Sequence, residues 1–262
     1  MADQQRHVNR LKGDRVLIVG GTSGIGFTVA EICIEEGCTV IISGSSTASA
    51  AKALAKLQAD YPSAKDRISS FAAALADGDT VEANIASLFD AASKTGKLDH
   101  VVYTAGDALA MQKLDDVTVE SIKIAGMVRF FAQLLVAKHA VKHLNPGPKS
   151  SITLTTGSVA ERPFEGWTVV GSLAAGIQGM ARQLAVDIRP IRANAVGPGP
   201  VDTGLWRLNE EERRAFNDAT GAKSSTGIIG QVDDVAQAYV ALMKDRNCTG
   251  STYSTHGGTL FF

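Results

Sequence analysis

Cysteine is scarce in this sequence: Cys33, Cys38 and Cys248 are all that 262 residues contain. An odd count without Cys-x-x-Cys or Cys/His spacing excludes a disulfide framework and a cysteine-based metal site. It predicts reduced thiols instead, two of them packed around the first helix. An excess of one charge is equally absent, since 26 Lys and Arg stand against 27 Asp and Glu. Binding nucleic acid by counterion release needs a basic face, so nucleic acid is not an expected partner. No uninterrupted apolar run reaches the roughly 20 residues of a membrane span. The start, Met1–Lys12, is polar and lacks the apolar region of a signal segment. The expectation is a cytosolic protein with no membrane partner and no metal.

What is present is an alternation of two periodicities. The runs Arg15–Val19, Thr39–Ser43, His100–Thr104, Ser151–Thr155 and Arg192–Val196 are short, apolar and β-branched, as strands buried on both faces are. Ile68–Leu75 is a weaker strand, diluted by Ser and Ala, and Ser251–Thr255 adds a last one. Between them Ile25–Glu36, Thr47–Asp60, Thr80–Lys94, Val119–Lys142 and Gly171–Asp187 carry apolar residues at helical spacing. Alternating strands and helices with right-handed crossovers predict an α/β, Rossmann-like doubly wound fold, its seven-stranded sheet mostly parallel and flanked by helices. No linker, repeat or low-complexity block divides residues 1–262, so one domain is expected.

Directly after the first strand stands Gly20-Gly21-Thr22-Ser23-Gly24-Ile25-Gly26, opening a helix. Glycines at such a turn allow a sharp reversal, close approach of backbone N–H groups to a pyrophosphate, and tight helix–strand packing. A ligand-free tight turn would look similar, but its place at strand one favours dinucleotide binding. With this spacing the chain resembles the short-chain dehydrogenase/reductases, and three further segments extend the resemblance in order along the chain. They are Tyr103-Thr104-Ala105-Gly106, Asn194 to Thr203 (NAVGPGPVDT), and Gly230 to Ala236 with the terminal Gly257-Gly258. The resemblance implies that Gly20, Thr22, Ser23, Gly24, Ile25, Gly26, Ala105 and Gly106 hold the dinucleotide. It also implies that Pro198, Gly199, Val201 and Thr203 meet its nicotinamide carboxamide and phosphates.

An NAD-preferring site carries an acid at the end of strand two, for the ribose 2′-OH. This chain reads Ile42-Ser43-Gly44-Ser45-Ser46 there. Hydroxyls and N–H groups donate to a 2′-phosphate that a carboxylate would repel. NADP(H) is therefore the expected cofactor, with Ser45 and Ser46 as candidate phosphate contacts and Lys52 as an added charge; the same serines also suit a helix cap.

The resemblance fails at the catalytic positions. The family's Tyr-x-x-Ser-Lys-Ala-Ala falls on Val169-Val170-Gly171-Ser172-Leu173-Ala174-Ala175, its serine on Thr156 (or Ser158), and its helix-four asparagine on Ala125. Val and Leu donate no proton, so ketone reduction loses the roughly 10²–10⁴-fold that general acid catalysis supplies. Hydride delivery to an iminium ion needs no proton, because its product is a neutral amine. Arg129, one turn beyond Ala125, is a candidate for orienting substrate, or else a surface ion pair. The loop 161–167 offers Phe164 and Trp167 to a flat, hydrophobic small molecule, and Glu165 to a cationic nitrogen, unless it is only a solvated loop residue. Leu205-Trp206 opens a charged and aromatic stretch, about 204–227, that reads as a substrate lid.

Arg129 and the Arg162-Pro163-x-x-Gly166-Trp167 loop, with the absent Tyr/Lys pair, are similar to fungal short-chain reductases of indole-alkaloid clusters, some of them bifunctional reductase/Diels–Alderases. Those carry an aspartate where this chain has Phe164. The resemblance implies an NADPH-dependent imine or iminium reductase, with or without ring formation, that assembles as a homodimer or homotetramer. A non-redox cyclase or isomerase, with Arg129, Glu165 or Asp107 handling protons, and a non-catalytic NADP(H)-binding protein are the alternatives; Thr156 keeps the one hydroxyl of the family's catalytic set.

Overall fold

The computed structural model describes residues 8–262, so the beginning of the polar Met1–Lys12 stretch lies outside the described residues. Seven strands form one sheet: β1 (Arg15–Val19), β2 (Thr39–Gly44), β3 (Ile68–Ala72), β4 (His100–Tyr103), β5 (Ser151–Thr155), β6 (Arg192–Pro198) and β7 (Thr252–Thr255). They lie in the order β3-β2-β1-β4-β5-β6-β7. Every pairing is parallel, and β7 is parallel too. The reason is visible in β1, whose side chains alternate between two cores. Leu17 and Val19 enter one with α3 (Val81–Ser93), α5 (Ala132–His143) and α6 (Thr168–Asp187). Val16 and Ile18 enter the other with α1 (Gly24–Glu35), α2 (Thr47–Asp60) and α8 (Val232–Lys244). A parallel strand covered on both faces must be apolar at every position.

The strand order reverses between β1 and β4, the switch point where a crevice opens beyond the C-terminal strand ends. The remaining helices are α4 (Val119–Gly126), which brings Ala125 to that crevice, and α7 (Glu210–Gly221).

One expectation is corrected. Val119–Lys142 is not one regular helix: between α4 and α5 the chain makes a π turn over Met127–Phe131. The whole Val119–His143 stretch is, among the described residues, long and apolar enough to cross a membrane, yet 44% of its apolar window is buried inside the protein. It serves as a cover for the sheet.

Candidate active site

The glycine turn closes against the neighbouring strand end. Gly20 has φ +90°, and a Cβ there would sit 2.3 Å from the Ala105 nitrogen. A Cβ on Gly26 would lie 2.3 Å from Thr104 Oγ1 and 2.4 Å from the Gly20 carbonyl. Gly20 requires glycine by conformation and by space, Gly26 by space. Helix α1 then begins with the N-cap Ser23 in extended conformation, making no side-chain cap, and with no acid in its first turn. Its first N–H groups are thus left without a protein partner, the usual arrangement for an anion at a helix N-terminus. This uncapped cradle fits the diphosphate of a dinucleotide.

Above it lies a cavity of about 490 Å³, within the size range of small-molecule sites. Of the expected cofactor residues, Ser23, Gly24, Ile25, Gly26, Ala105, Gly106, Pro198, Gly199, Val201 and Thr203 line it. Thr22 does not; its methyl occupies the space a Cβ on Gly44 would take, 2.6 Å away. Ser45 and Ser46 also stand outside the lining. Ser46 caps α2, its Oγ accepting from the Ser49 N–H at 3.2 Å in a capping box. Ser45 is exposed, and no carboxylate stands between Ser43 and Ser46.

The face that α6 turns to the cavity is apolar: Val170, Leu173, Ala174 and Ile177. Val169 is buried and is not part of the wall. The ionisable side chains that line the cavity are Asp107, Arg129 and Arg207; no tyrosine, lysine, histidine, cysteine or glutamate does. Tyr103 is fully buried, and its hydroxyl donates to the Val128 carbonyl at 2.5 Å. Burial, with Asp107 nearby, pushes its pKa far up.

Arg129 projects from the π turn into the cavity, alongside Ala125 and Gln133. Its guanidinium lies over Gly106, where a Cβ would meet Nη2 at 3.2 Å. Nη2 donates to the Asp107 carbonyl. Nε is 3.1 Å from Asp107 Oδ1, yet neither buried atom has a hydrogen-bond partner. The pair is an ion pair by distance, without aligned donation. Burial lowers the Arg129 pKa and Asp107 opposes that shift, leaving a cation. Sequence reasoning missed Gln133, which ties this turn down: its Nε2 donates to the Arg129 carbonyl at 2.6 Å and to the Thr155 carbonyl at 2.9 Å. No sequence pattern marks a glutamine as a strand-to-helix tie.

Thr156 lines the cavity, but its hydroxyl donates to the Ala174 carbonyl at 2.6 Å, so its proton is already committed to α6. Phe164 and Trp167 form one wall, ring centroids 5.5 Å apart. Glu165, expected beside them, is exposed and outside the lining. The turn that sets Phe164 and Trp167 against the cavity leaves Glu165 facing solvent. Opposite, Leu205, Trp206 and Arg207 complete the wall.

A doubly wound parallel sheet, an uncapped helix N-terminus at its switch point and an adjoining apolar cavity define a dinucleotide-binding α/β protein. A model of the SDR-like Rossmann domain matches residues 7–262, and the chain belongs to the short-chain dehydrogenase/reductase family. Short-chain dehydrogenase/reductase fsr5 of Gibberella fujikuroi is 45% identical over 264 residues, covering 99% of both chains. The solved structure of the MalC reductase/Diels–Alderase from Malbranchea aurantiaca superposes with a TM-score of 0.90 at 40% identity, covering 97% of this chain and 99% of that one. A small-chain dehydrogenase solved in complex with NADPH superposes at 0.77 with 26% identity, covering 96% of this chain and 100% of that one.

Proposed function

We propose that the protein is an NADPH-dependent reductase of a flat, hydrophobic imine or iminium in specialised metabolism. The observation that carries this reading is the apolar face that α6 turns to the cavity, Val170, Leu173, Ala174 and Ile177, which offers a substrate no proton donor. The family positions for tyrosine and lysine correspond to Val169 and Leu173. NADP(H) is the cofactor: the α1 cradle, with Gly20 and Gly26 at its base, would hold the diphosphate, and Ser45 and Ser46 at the end of β2 would meet the 2′-phosphate. NADPH, when bound, supplies a hydride, and an iminium carbon that accepts it becomes a neutral amine without consuming a proton.

The chain's own residues then bind and orient. Val170, Leu173, Ile177, Phe164, Trp167 and Trp206 exclude water and offer aromatic faces to a flat cation. Arg129, paired with Asp107, presents a donor to a substrate carbonyl without itself adding net charge, and Arg207 is the remaining cation of the lining. Thr156 accepts through its oxygen but has no free proton. The stretch 204–227 acts as the substrate lid. Exposed Val119, Ile124, Leu134, Val141 and Val186 on the α4–α5 and α6 surfaces support assembly as a homodimer or homotetramer.

The test is NADPH consumption with a cyclic iminium, such as an N-methyl dihydroisoquinolinium, against cyclohexanone. Oxidation in step with amine formation is expected for the iminium alone. Equal rates with the ketone would sink the proposal. Similarity to a protein described as a reductase/Diels–Alderase favours a second reading, ring formation in the same cavity. Product cyclised without NADPH consumption is its signature.

A further inference from the structure

The outer wall of the cavity hangs from a polar helix. Leu205, Trp206 and Arg207 line the cavity, and the chain leaves them through Arg207, held in the left-handed region at φ 52°, ψ 36°. It then enters α7, which Asn209 caps by accepting from the Glu211 and Glu212 N–H groups at 3.0 Å. Gly221 is the one buried residue of α7, so apolar burial contributes little to holding this helix in place.

Two contacts tie it to the cavity floor. Trp206 packs on Phe216 at 4.7 Å between ring centroids, while its Nε1 donates to the Val201 carbonyl at 2.9 Å. The second contact is ionic. Asp202 lies between the cavity-lining Val201 and Thr203, and its N–H donates to the Gly230 carbonyl at 2.9 Å. Its carboxylate accepts from Arg213 Nε at 2.6 Å and Nη2 at 2.9 Å. The Asp202 side chain is 14% exposed and that of Arg213 55%, so one end of the pair is anchored in the floor and the other rides on α7. Charge-assisted fork geometry of this kind is stronger than a neutral hydrogen bond and directional.

We propose that Asp202 and Arg213 form a latch that positions the Leu205–Arg207 wall over the Val201–Thr203 segment and sets how fast NADP(H) leaves. They are positioning residues, because neither is placed against the reacting atoms. The proposal rests on the NADP(H) reading of the cavity. It explains why a helix with so little buried surface carries one wall of the site. It also makes cofactor release sensitive to the charge pair at the floor of the lid, beside the Trp206–Phe216 contact.

The experiment uses the full chain in a Trp167→Phe background, which leaves Trp206 as the sole tryptophan, since the sequence has 2. NADPH dissociation is followed by displacement with excess NADP⁺, using energy transfer from Trp206. Asp202→Asn and Arg213→Gln should each speed dissociation by about tenfold, the size expected for losing one charge-assisted pair. The double variant should be no faster than either single one, because the pair breaks once. Arg213→Lys, which keeps the charge and loses the fork, should fall between. Without cofactor, Trp206 emission should shift red in the Asn and Gln variants as the wall loosens. Unchanged dissociation with unmoved emission overturns the latch, and so do rates that multiply in the double variant. If the parent protein binds no NADPH, the reductase reading fails instead. Trp206 emission of the cofactor-free variants then decides the latch alone: a red shift upholds it, no shift overturns it.

Discussion

Arg129 shows how a residue recognised for the right reason acquires its meaning from one neighbour. Its place among Val128, Phe130 and Phe131 left a cavity donor and a surface ion pair equally open. In the structure it lines the cavity and pairs there with Asp107, so the ion pair belongs to the cavity and not to the surface. Replacing Arg129 by Ala removes the donor and leaves the Asp107 charge uncompensated. Turnover of a carbonyl-bearing iminium should fall by about 10²-fold, the size of losing one positioned donor. NADPH affinity should stay unchanged, because the phosphates lie at the α1 cradle. Steady-state kinetics beside a calorimetric NADPH titration checks both halves, and unaltered turnover would remove Arg129 from the mechanism. Thr156 and Glu165 are the opposite lesson. Both residue types suit proton chemistry, yet the proton of one is donated to Ala174 and the other faces water. Side-chain direction at this scale follows from backbone packing, which composition does not record.

Among the elements, the strands and the helices up to α6 were legible nearly to their ends because two-sided burial and helical spacing leave strong patterns; α7 and α8 were not delimited. The π turn was not. Its residues satisfy helical spacing, and only tertiary partners explain why the chain departs from it. The Val128 carbonyl accepts from Tyr103 and the Arg129 carbonyl from Gln133. On its outer side, Phe130 fills the space above Gly176, where a Cβ would lie 2.8 Å from its ring. π turns are uncommon and recur at functional sites, and here the turn carries Arg129. Gln133→Leu would leave buried Thr155 and Arg129 backbone groups unpaired. The expected cost is about 1–3 kcal/mol for each group left unsatisfied, read as a lower urea midpoint. The substitution should also reduce turnover by releasing Arg129. A variant of full stability would show that Gln133 is not the tie.

At the scale of the whole molecule, the two edges of the sheet divide the work. The C-terminal edge carries the cavity; the N-terminal edge carries a buried polar network. His100 Nδ1 accepts from Ser151 Oγ at 2.8 Å, and Nε2 donates to Asp14 Oδ2 at 3.3 Å, with Asp14 also paired to Lys149 at 2.5 Å. This Ser–His–Asp order resembles a hydrolytic relay, but His100 is 1% and Asp14 2% exposed, so no substrate reaches it. Burial lowers the His100 pKa against the pull of Asp14, which favours the neutral ring in the folded protein. Burial would raise the Asp14 pKa, but His100 and Lys149 hold it below the ordinary value. Below the ordinary histidine pKa of 6.5 the unfolded chain takes up a proton that folded His100 refuses. Stability should therefore fall as pH drops below that value, with a slope of up to about 1.4 kcal/mol per pH unit for this group. Half-buried His143 acts in the same direction. The Asp14 contribution persists until pH falls below about 3.8 and is lost through its lower folded pKa. Urea denaturation between pH 5 and 7 should show a shallower slope for His100→Asn, and an identical slope would remove His100 as its source.

The sequence by itself determined the doubly wound sheet, the glycine turn, the absence of an acid after β2 and the apolar character of Val169, Val170 and Leu173. Each depends on local geometry or on residue chemistry that no packing alters. Tertiary structure alone decided which side chains face the cavity and which protons are already committed. It placed Thr156 against Ala174, turned Glu165 to solvent, paired Arg129 with Asp107 and fastened α7 through Asp202 and Arg213. Those outcomes are set by contacts between residues 11 or more positions apart, whose geometry exists only once the sheet and its helices have packed.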